Sequence, residues 1–317
     1  MAGGVLIREL RREDADAVAA LHLAVNPHQL ETAERVWFWA SRGLERERWG
    51  QWVAEEDGEI VGSAWAAFEW SAPEPGRGRF WIAVPAERRG HGVGGALYEV
   101  LEDYLRARGA WRARTNVEGD PDGERFVRSR GFGQRGADRV SALDLSEAEL
   151  PEPQLPSGFR LEPLGRVRDR FELLFEICEA GEADLREEPE TALTLEDWKL
   201  DDFGLPDLSD EGSFVVLDAA RAVSLAFLCL DPSRGLAYNL MTATLPELRR
   251  RGLALAAKVA TARWAAENGF ERILTENDVR NTGMLAINDR LGYRPLYEQT
   301  KWYLEWERPP GERGQHL

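Results

Sequence analysis

Two short basic segments of this sequence have the composition of an anion-binding loop. The first, residues 86–96, reads AERRGHGVGGA, and the second, residues 247–257, reads ELRRRGLALAA; each follows an apolar run and opens a helical pattern. The start of a helix carries unpaired backbone N–H groups and a partial positive charge, and glycine lets a phosphate approach the backbone closely. The sequence therefore predicts two pyrophosphate-binding loops.

The glycines of the first segment also fit the dinucleotide-binding pattern Gly-x-Gly-x-x-Gly, at Gly90, Gly92 and Gly95. In that fold the first glycine directly follows a strand, whereas residues 85–89 intervene here. The second segment contains a single glycine. A dinucleotide-binding oxidoreductase is therefore kept only as a remote alternative.

The two loops belong to a longer internal repeat. Residues 79–117 and 236–277 share the order strand, basic loop, helix, strand. Arg89 and Arg251 lie 162 residues apart, and the glycines that close the two copies, Gly131 and Gly292, lie 161 apart. Aligned in this way, the copies predict a duplicated domain.

The segment between the copies has the composition of a linker. It reads SEAELPEPQLPSG and contains three prolines without apolar periodicity. The chain is therefore predicted to consist of a domain over 1–145, a linker over 146–158, a domain over 159–306 and a polar tail over 307–317.

Each half is predicted to have an α+β fold. A short strand (VLIREL or FRLEPL) precedes an amphipathic helix (ADAVAALHLAV or RFELLFEICEA). Two further strands rich in Val, Trp, Phe and Leu come before each basic loop. In all, each half is expected to have about six or seven strands.

Composition excludes several classes of function. The formal net charge of -16 would repel a nucleic-acid backbone. No apolar run is long enough to span a membrane, and the charged N-terminus is unlike a signal peptide, so we expect a cytoplasmic protein. Cys178 and Cys229 lie within apolar runs and are expected to be buried thiols, with no disulfide and no metal site.

Both basic segments resemble the pyrophosphate loop of the GNAT N-acetyltransferase superfamily, which reads Gln/Arg-x-x-Gly-x-Gly/Ala after the fourth strand. Residues 89–94 match it completely, and residues 251–256 match it except that Ala254 stands where glycine is usual, which predicts a slightly tighter space for phosphate. Asn281 occupies the place of the family's asparagine that contacts the CoA arm, and Asp120 holds that place in the first half.

The resemblance implies two GNAT-like domains in tandem, each with a mixed, mostly antiparallel sheet that is flanked by helices and splayed between its fourth and fifth strands. It implies acetyl-CoA as the donor, direct attack by an acceptor amine, and no metal. It also implies a backbone N–H at a bulge of the fourth strand that polarises the thioester carbonyl. The residues expected at the cofactor are Ile82, Ala83, Val84, Arg89, Gly90, His91, Gly92, Val93, Gly94 and Gly95, then Thr242, Ala243, Thr244, Arg251, Gly252, Leu253, Ala254, Leu255, Ala256 and Asn281.

The catalytic residues are less clearly indicated. The family often has a tyrosine, as leaving-group acid, four residues before the closing glycine, where this sequence has Val127 and Asn288. Neither is a good acid, so either water protonates the CoA thiolate or the acid comes from elsewhere. Two strand-end carboxylates, Glu69 and Glu276, are the candidate bases that would take a proton from the amine.

The acceptor site is expected between the first helix and the first hairpin of each half. Residues 182–212 hold twelve acidic residues against Arg186 and Lys199, which suggests a cationic small molecule or a peptide terminus. The matching part of the first half concentrates Trp37, Phe38, Trp39 and Trp49, which either form an apolar acceptor pocket or pack the two lobes together.

The acidic region and the closing segment favour the second half as the site of chemistry. The missing tyrosines leave a second hypothesis, in which one or both halves bind acyl-CoA as a sensor or scaffold without turnover.

Overall fold

A computed structural model describes residues 4–69, 72, 74–183 and 194–308 of the chain. The chain forms two compact units, each a complete sheet flanked by helices. The first unit comprises residues 1–136 and 299–317, and the second comprises residues 137–298. This division differs from the sequence prediction, in which the two domains end at 145 and 306.

In the described residues, the N-terminal segment of the first unit forms five strands and four helices. Its strands are β1 (Leu6–Glu9), β2 (Gly50–Glu56), β3 (Glu59–Phe68), β4 (Arg77–Ala83) and β5 (Arg112–Glu118). Its helices are α1 (Ala15–Val25), α2 (Ala33–Ser41), α3 (Val93–Ala107) and α4 (Pro121–Ser129).

The rest of the chain repeats this order, between two long strands that close the halves of the sequence. Its strands are β6 (Gly133–Asp144), β7 (Phe159–Pro163), β8 (Phe214–Asp218), β9 (Arg221–Asp231), β10 (Leu236–Thr244), β11 (Arg272–Asp278) and β12 (Arg294–Glu305). Its helices are α5 (Phe171–Ala183), α6 (Leu195–Leu200), α7 (Leu253–Glu267) and α8 (Thr282–Leu291).

Each unit has a mixed, mostly antiparallel sheet, as the sequence predicted. In the first unit β1, β2, β3 and β4 pair antiparallel in that order, and β4 pairs parallel with β5. In the second unit β7, β8, β9 and β10 repeat the pattern, and β10 pairs parallel with β11. A dinucleotide-binding fold needs a parallel sheet, so this topology overturns the remote alternative of an oxidoreductase.

The parallel pair of each unit separates after a short contact. Residues 77–79 of β4 pair with residues 112–114 of β5, and both strands then continue for four residues without pairing with each other. In the second unit, residues 236–238 of β10 pair with residues 272–274 of β11. The predicted splay between the fourth and fifth strands is therefore present twice.

The sixth strand of each sheet comes from the other half of the sequence. β6 follows α4 along the chain, but its residues 138–144 pair with β11 of the second unit. β12 follows α8, but its residues 299–305 pair with β5 of the first unit. This exchange explains why the domain boundaries differ from the predicted ones.

The exchanged strands bring core residues with them. Trp302 of β12 is buried in the core of the first unit with Leu97 and Val117. Leu143 of β6 is buried in the core of the second unit with Ile273 and Leu291. Each unit therefore depends on a large side chain from the other half of the sequence.

Other features match the composition of the chain. Cys178 and Cys229 are buried free thiols, as predicted. Among the described residues, no helix has both the length and the apolar character needed to cross a membrane. The predicted linker 146–158 falls within the second unit, where Arg263 of α7 binds the Leu150 carbonyl and the Glu152 carboxylate.

The core of the second unit contains a buried lysine. Lys258 of α7 is 1% exposed, and its Nζ donates to the Asn288 Oδ1 at 2.7 Å. The same Nζ lies 4.9 Å from the centroid of the Tyr293 ring. Removal from water disfavours the ammonium form, so burial lowers the pKa of Lys258 to about 7.

We predict that Trp302→Ala destabilises the first unit by about 3–5 kcal/mol, because it leaves a cavity in the core. Leu143→Ala serves as the matched variant for the second unit, at about 2–5 kcal/mol. Amide hydrogen exchange is expected to show lost protection in β5 for the first variant and in β11 for the second. The reverse pattern would contradict the strand exchange.

The lowered pKa of Lys258 predicts a pH-dependent stability. An unfolded lysine keeps a pKa near 10.5, so between pH 7 and 10.5 the folded chain binds fewer protons than the unfolded chain. The free energy of unfolding is therefore expected to rise with pH by up to about 1.4 kcal/mol per unit in this window. Lys258→Met is expected to remove that slope in chemical denaturation; parallel pH curves for the two proteins would disprove the assignment.

Candidate functional site

The helices α3 and α7 begin differently from α4 and α8. Gly92 and Gly252 precede them in the left-handed conformation, with φ of 90° and 82°, and offer no capping side chain. By contrast, α4 and α8 begin with capping side chains from Asp120 and Asn281. The first N–H groups of α3 and α7 are therefore available to an anion, as the sequence predicted.

The structure corrects the alignment of the two loops. Arg89 Nε donates to the Val84 carbonyl at 3.0 Å, and Arg249 Nε donates to the Thr244 carbonyl at 3.1 Å. Arg249 therefore corresponds to Arg89 and Gly252 to Gly92, both at an offset of 160 residues. The predicted pairing of Arg89 with Arg251 was wrong, because three consecutive arginines allow more than one alignment.

The corrected second loop is residues 249–254, and it satisfies Arg-x-x-Gly-x-Ala without a departure. Ala254 corresponds to Gly94, a position where the family pattern accepts alanine, so the predicted tightening from a missing glycine does not arise. Leu255 and Ala256 lie further along α7, and Ala256 is buried. Those two residues belong to the body of the helix rather than to the loop.

The corrected alignment also places Arg250 opposite Gly90. Gly90 has a φ of 77°, and Arg250 adopts the same left-handed conformation with a φ of 62°. A side chain in this conformation costs roughly 1–2 kcal/mol. A Cβ built on Gly90 or Gly92 would meet no atom within 4 Å, so both positions border open space.

The loop arginines are held by different partners in the two units. Arg89 Nη1 lies 2.8 Å from Asp120 Oδ2 and 3.8 Å from Asp122 Oδ2. Arg249 Nη2 instead donates to the Ala180 carbonyl of α5 at 2.9 Å. A bound phosphate would thus compete with carboxylates for Arg89 and with backbone carbonyls for Arg249.

The predicted bulge in the fourth strand is only partly correct. In the first unit, β3 and β4 pair continuously from Gly78 to Ala83, so no bulge lies at Ile82–Val84. In the second unit, the register of β9 and β10 shifts between Asn239 and Met241, before the predicted Thr242–Thr244. There Asn239 Nδ2 donates to the Phe227 carbonyl at 2.9 Å and fills the irregularity.

A cavity of about 310 Å³ opens in the first unit where β4 and β5 separate. Trp81 of β4, together with Asn116 and Glu118 of β5, lines it from the sheet, all beyond the last β4–β5 pair. His22 of α1 and Trp39 of α2 line it from the helices. The further lining residues are Gln29, Glu31, Val36, Trp49, Gln51, Trp65, Arg79, Phe80, Arg114, Thr115 and Gln299.

His22 is fixed on the wall of this cavity with one ring nitrogen unused. Its Nδ1 lies 2.8 Å from Glu31 Oε1, and its ring meets the Trp81 ring edge-on at 4.8 Å. The imidazole is only 4% exposed, and its Nε2 has no hydrogen-bond partner. A buried polar nitrogen of this kind needs a partner, which an ordered water or a ligand can supply.

Glu118 is the ionisable group at the β5 side of the cavity. Gln29 Nε2 donates to its Oε1 at 2.9 Å, and Asn26 and Gln299 also bond to its carboxylate. Burial raises the pKa of Glu118 to about 7, while these amides and the nearby His22 partly oppose that rise. A carboxyl group with such a pKa can accept a proton near neutral pH.

Neither His22 nor Glu118 was among the predicted site residues. Glu118 ends the fifth strand, so its place at the splay could have drawn attention. His22 lies in the apolar helix segment AALHLAV, where a histidine is more often a core residue, and only the fold brings it to the cavity. Of the predicted aromatic group, Trp39 and Trp49 line the cavity, as the pocket interpretation expected.

The predicted base Glu69 lies at the wrong end of the sheet. It follows β3 beside the first residue of β4, since its N–H donates to the Arg77 carbonyl. The loop follows the last residue of β4, so about 20 Å of strand separate the two. Arg112 and Arg114 hold the Glu69 carboxylate at 3.7 and 3.3 Å.

Asn288 is an interior residue rather than a surface acid. It is buried, it accepts from Lys258, and its Nδ2 donates to Asn277 Oδ1 at 2.6 Å. Both ends of its amide are therefore occupied. Val127, at the matching position of the first unit, is buried in the core.

Glu276 lies on β11 beyond its pairing with β10, so its predicted place near the splay is retained. The offset of 160 residues makes it the counterpart of Asn116 and makes Asp278 the counterpart of Glu118. Asp278 differs from Glu118 because Arg280 binds its carboxylate through two nitrogens, at 2.7 and 2.8 Å. A catalytic role for Glu276 stays a prediction.

Aromatic side chains fill the corresponding part of the second unit. Phe227 pairs with Met241 as Trp65 pairs with Trp81, so Phe227 and Trp65 are counterparts. Phe203 packs 6.0 Å from Phe227 and stacks on Trp198 at 4.4 Å, and all three rings are buried.

Part of the predicted acidic acceptor region, residues 184–193, lies outside the described residues. In its described part, the Asp197 carboxylate accepts from the Thr194 hydroxyl at the start of α6. Glu196 forms an ion pair with Lys199, and Asp210 forms one with Arg168. These carboxylates thus take part in local structure.

Comparisons with known proteins agree with this architecture. Residues 8–132, most of the first unit, match the acetyltransferase (GNAT) family. No curated protein matches the chain by sequence. A GCN5-related N-acetyltransferase from Sphaerobacter thermophilus has a similar structure, with 18% identity, a TM-score of 0.68 and 96% of each chain covered.

A tandem GNAT protein from the clavulanic acid biosynthesis pathway is also similar, with 17% identity and a TM-score of 0.76 over 96% of this chain and all of that one. At this level of identity the likeness concerns the fold. The first unit thus matches the acetyltransferase (GNAT) family, and the whole chain has the fold of a tandem GNAT protein.

Proposed function

We propose that the protein is an acetyl-CoA-dependent N-acetyltransferase whose chemistry takes place in the first unit. The observation that carries this proposal is the cavity at the separation of β4 and β5, which holds the titratable carboxyl of Glu118. The glycine-capped start of α3 follows the end of β4, so a CoA-binding loop and a proton acceptor belong to the same strand separation.

The first loop fits the pyrophosphate of CoA. Its open space at Gly90 and Gly92, the uncapped N–H groups of α3 and the charge of Arg89 suit a diphosphate. Beyond residue 79, β4 has no β5 partner, so N–H groups of β4 that face away from β3 are free to polarise the thioester carbonyl. Such a donor contributes about 3–4 kcal/mol to stabilising the developing oxyanion.

The reaction needs the acceptor amine in its neutral form. An amine with a pKa of about 10 is mostly protonated at pH 7, and removing that proton costs roughly 4 kcal/mol. The Glu118 carboxylate takes the proton, and the amine nitrogen forms the new bond to the acetyl carbon as the bond to sulfur breaks. The second nitrogen proton is lost as the amide forms and reaches the departing CoA thiolate, of thiol pKa about 8.5, through water, so no tyrosine is required.

The second unit is proposed to bind CoA without turnover. Its loop satisfies the family pattern, but Phe203 packs on Phe227, the counterpart of a cavity-lining residue, and Trp198 stacks on Phe203. A Cβ built on Gly181 of α5 would lie 2.7 Å from that of Ala243, so α5 packs directly on the end of β10. This packing favours a nucleotide-binding or sensory role there and reverses the sequence-based preference for the second half.

Two substitutions of opposite charge at Gly90 test the loop assignment. Gly90→Glu and Gly90→Arg place a side chain in the same backbone conformation, which Arg250 already adopts in the second loop. We expect Gly90→Glu to weaken acetyl-CoA binding at the first site and to lower turnover at least tenfold, because the carboxylate repels the pyrophosphate. Gly90→Arg is expected to retain binding in calorimetry.

Arg250→Glu is the matched variant of the second loop. It is expected to weaken one of two acetyl-CoA binding events and to leave turnover unchanged. Loss of turnover with Arg250→Glu but not with Gly90→Glu would reverse the assignment of the catalytic unit.

Glu118→Gln tests the proton acceptor. General-base catalysis contributes about 10²- to 10⁴-fold, so we expect a loss of that order in kcat/KM, measured by thiol release. Since the carboxylate form is required, the native rate is expected to fall tenfold per unit as pH decreases below about 7. Glu118→Gln should lack this limb of the profile.

The control is Glu276→Gln, which changes a carboxylate on the equivalent strand of the second unit. It is expected to keep both the native rate and the native pH profile. An unchanged profile in Glu118→Gln, or a loss of rate in Glu276→Gln alone, would place the base elsewhere.

A further inference from the structure

We propose that the cavity of the first unit receives a small primary amine that is carried on a flat apolar body and has no carboxylate beside the amine. The inference rests on the proposed function and names its acceptor. His22 Nε2, Asn116 Oδ1 and the Glu118 carboxylate would hold the ammonium group.

Two buried side-chain atoms of this cavity lack a hydrogen-bond partner, His22 Nε2 and Asn116 Oδ1. The Glu31 carboxylate can only accept when ionised, so His22 Nδ1–H donates to it, and in the neutral imidazole Nε2 is then an acceptor. Asn116 Nδ2 donates to Gln299 Oε1 at 2.9 Å, and Asn116 Oδ1 is buried without a partner. A ligand that completes these atoms has to be a donor.

The geometry of a primary ammonium matches this set. The group carries three N–H donors, and the cavity offers His22 Nε2, Asn116 Oδ1 and the carboxylate of Glu118. Asn116 and Glu118 lie two residues apart on β5 and therefore face the same side of the sheet. His22, Asn116 and Glu118 all line the same cavity, so the three groups border one space.

The charges in the cavity favour a cation over an amino acid. Of the two arginines on the wall, Arg79 is paired with Glu47 and Arg114 with Glu69. The hydrogen-bond partners of Glu118 are neutral amides. A substrate carboxylate would have to displace an existing ion pair to reach either arginine. An ammonium group would instead meet the Glu118 carboxylate, which is hydrogen-bonded by neutral amides.

The remaining wall is made of stacked indoles. Trp49 stacks on Trp65 with ring centroids 4.7 Å apart and lies 6.1 Å from Trp39 with nearly parallel planes. The faces that stack are occupied by one another, and the rings give the cavity an apolar wall that favours an apolar substrate body. A volume of about 310 Å³ is at the lower end for ligand pockets, which favours a compact body.

The test uses the full-length protein and three acceptors: 2-phenylethylamine, phenylalanine and spermidine. We expect kcat/KM for 2-phenylethylamine to exceed that for each of the other two at least tenfold in a thiol-release assay. Phenylalanine adds only the carboxylate, and spermidine removes the flat body. A preference for either of these would overturn the inference and leave the proposed function standing.

Two variants test the ammonium contacts. His22→Phe keeps the aromatic contact with Trp81, and Asn116→Leu keeps the approximate shape; each removes one acceptor. Both are expected to raise the KM for 2-phenylethylamine at least tenfold without changing the Kd for acetyl-CoA. Glu34→Gln, on the exposed face of α2, should change neither quantity.

Direct binding separates failure of the inference from failure of the proposed function. Tryptophan fluorescence reports 2-phenylethylamine in the cavity with or without CoA. Amine binding that depends on His22 supports the inference, whether or not acetyl-CoA binds. Failure of acetyl-CoA to bind would defeat the proposed function. Acetyl-CoA binding with no detectable amine binding would defeat the inference alone.

Discussion

The separation of a parallel strand pair is the constraint on which the rest of this structure depends. Only three residues of β4 pair with three residues of β5 before the two strands diverge, and β10 and β11 diverge in the same way. Divergence leaves backbone groups on both strands without a neighbouring strand, and such groups need another partner. In each unit the helix after the fourth strand follows this opening along the chain, so the fold places a ligand loop next to the separated strands.

The two units satisfy the same opening in different ways. The first keeps a cavity in which His22, Asn116 and Glu118 present polar atoms, and burial brings the pKa of Glu118 to about 7. The second uses a bulge at β10, a bidentate Arg280 on Asp278, and packed aromatic rings. Duplication has preserved the loop geometry, while the side chains around the opening have become different.

The exchange of closing strands ties stability to both halves of the sequence. Trp302 completes the core of the first unit and Leu143 that of the second, so neither sequence half holds a complete core. A large side chain buried in this way contributes about 2–5 kcal/mol, a sizeable part of the stability of a single domain. Each closing strand pairs with a strand from the other half of the sequence: β6 with β11, and β12 with β5.

The sequence by itself determined the α+β architecture and the glycine-led helices, because hydrophobic periodicity and glycine conformation are local properties. The two splayed sheets were implied only by the family resemblance. It left three equivalent arginines before Gly252, so only the hydrogen bonds of Arg89 and Arg249 decided the alignment. Strand exchange and the cavity residues were also beyond it, because β-strand partners and the meeting of His22 with Glu118 depend on contacts distant along the chain. The loops could be predicted from spacing; the acceptor site required the tertiary structure.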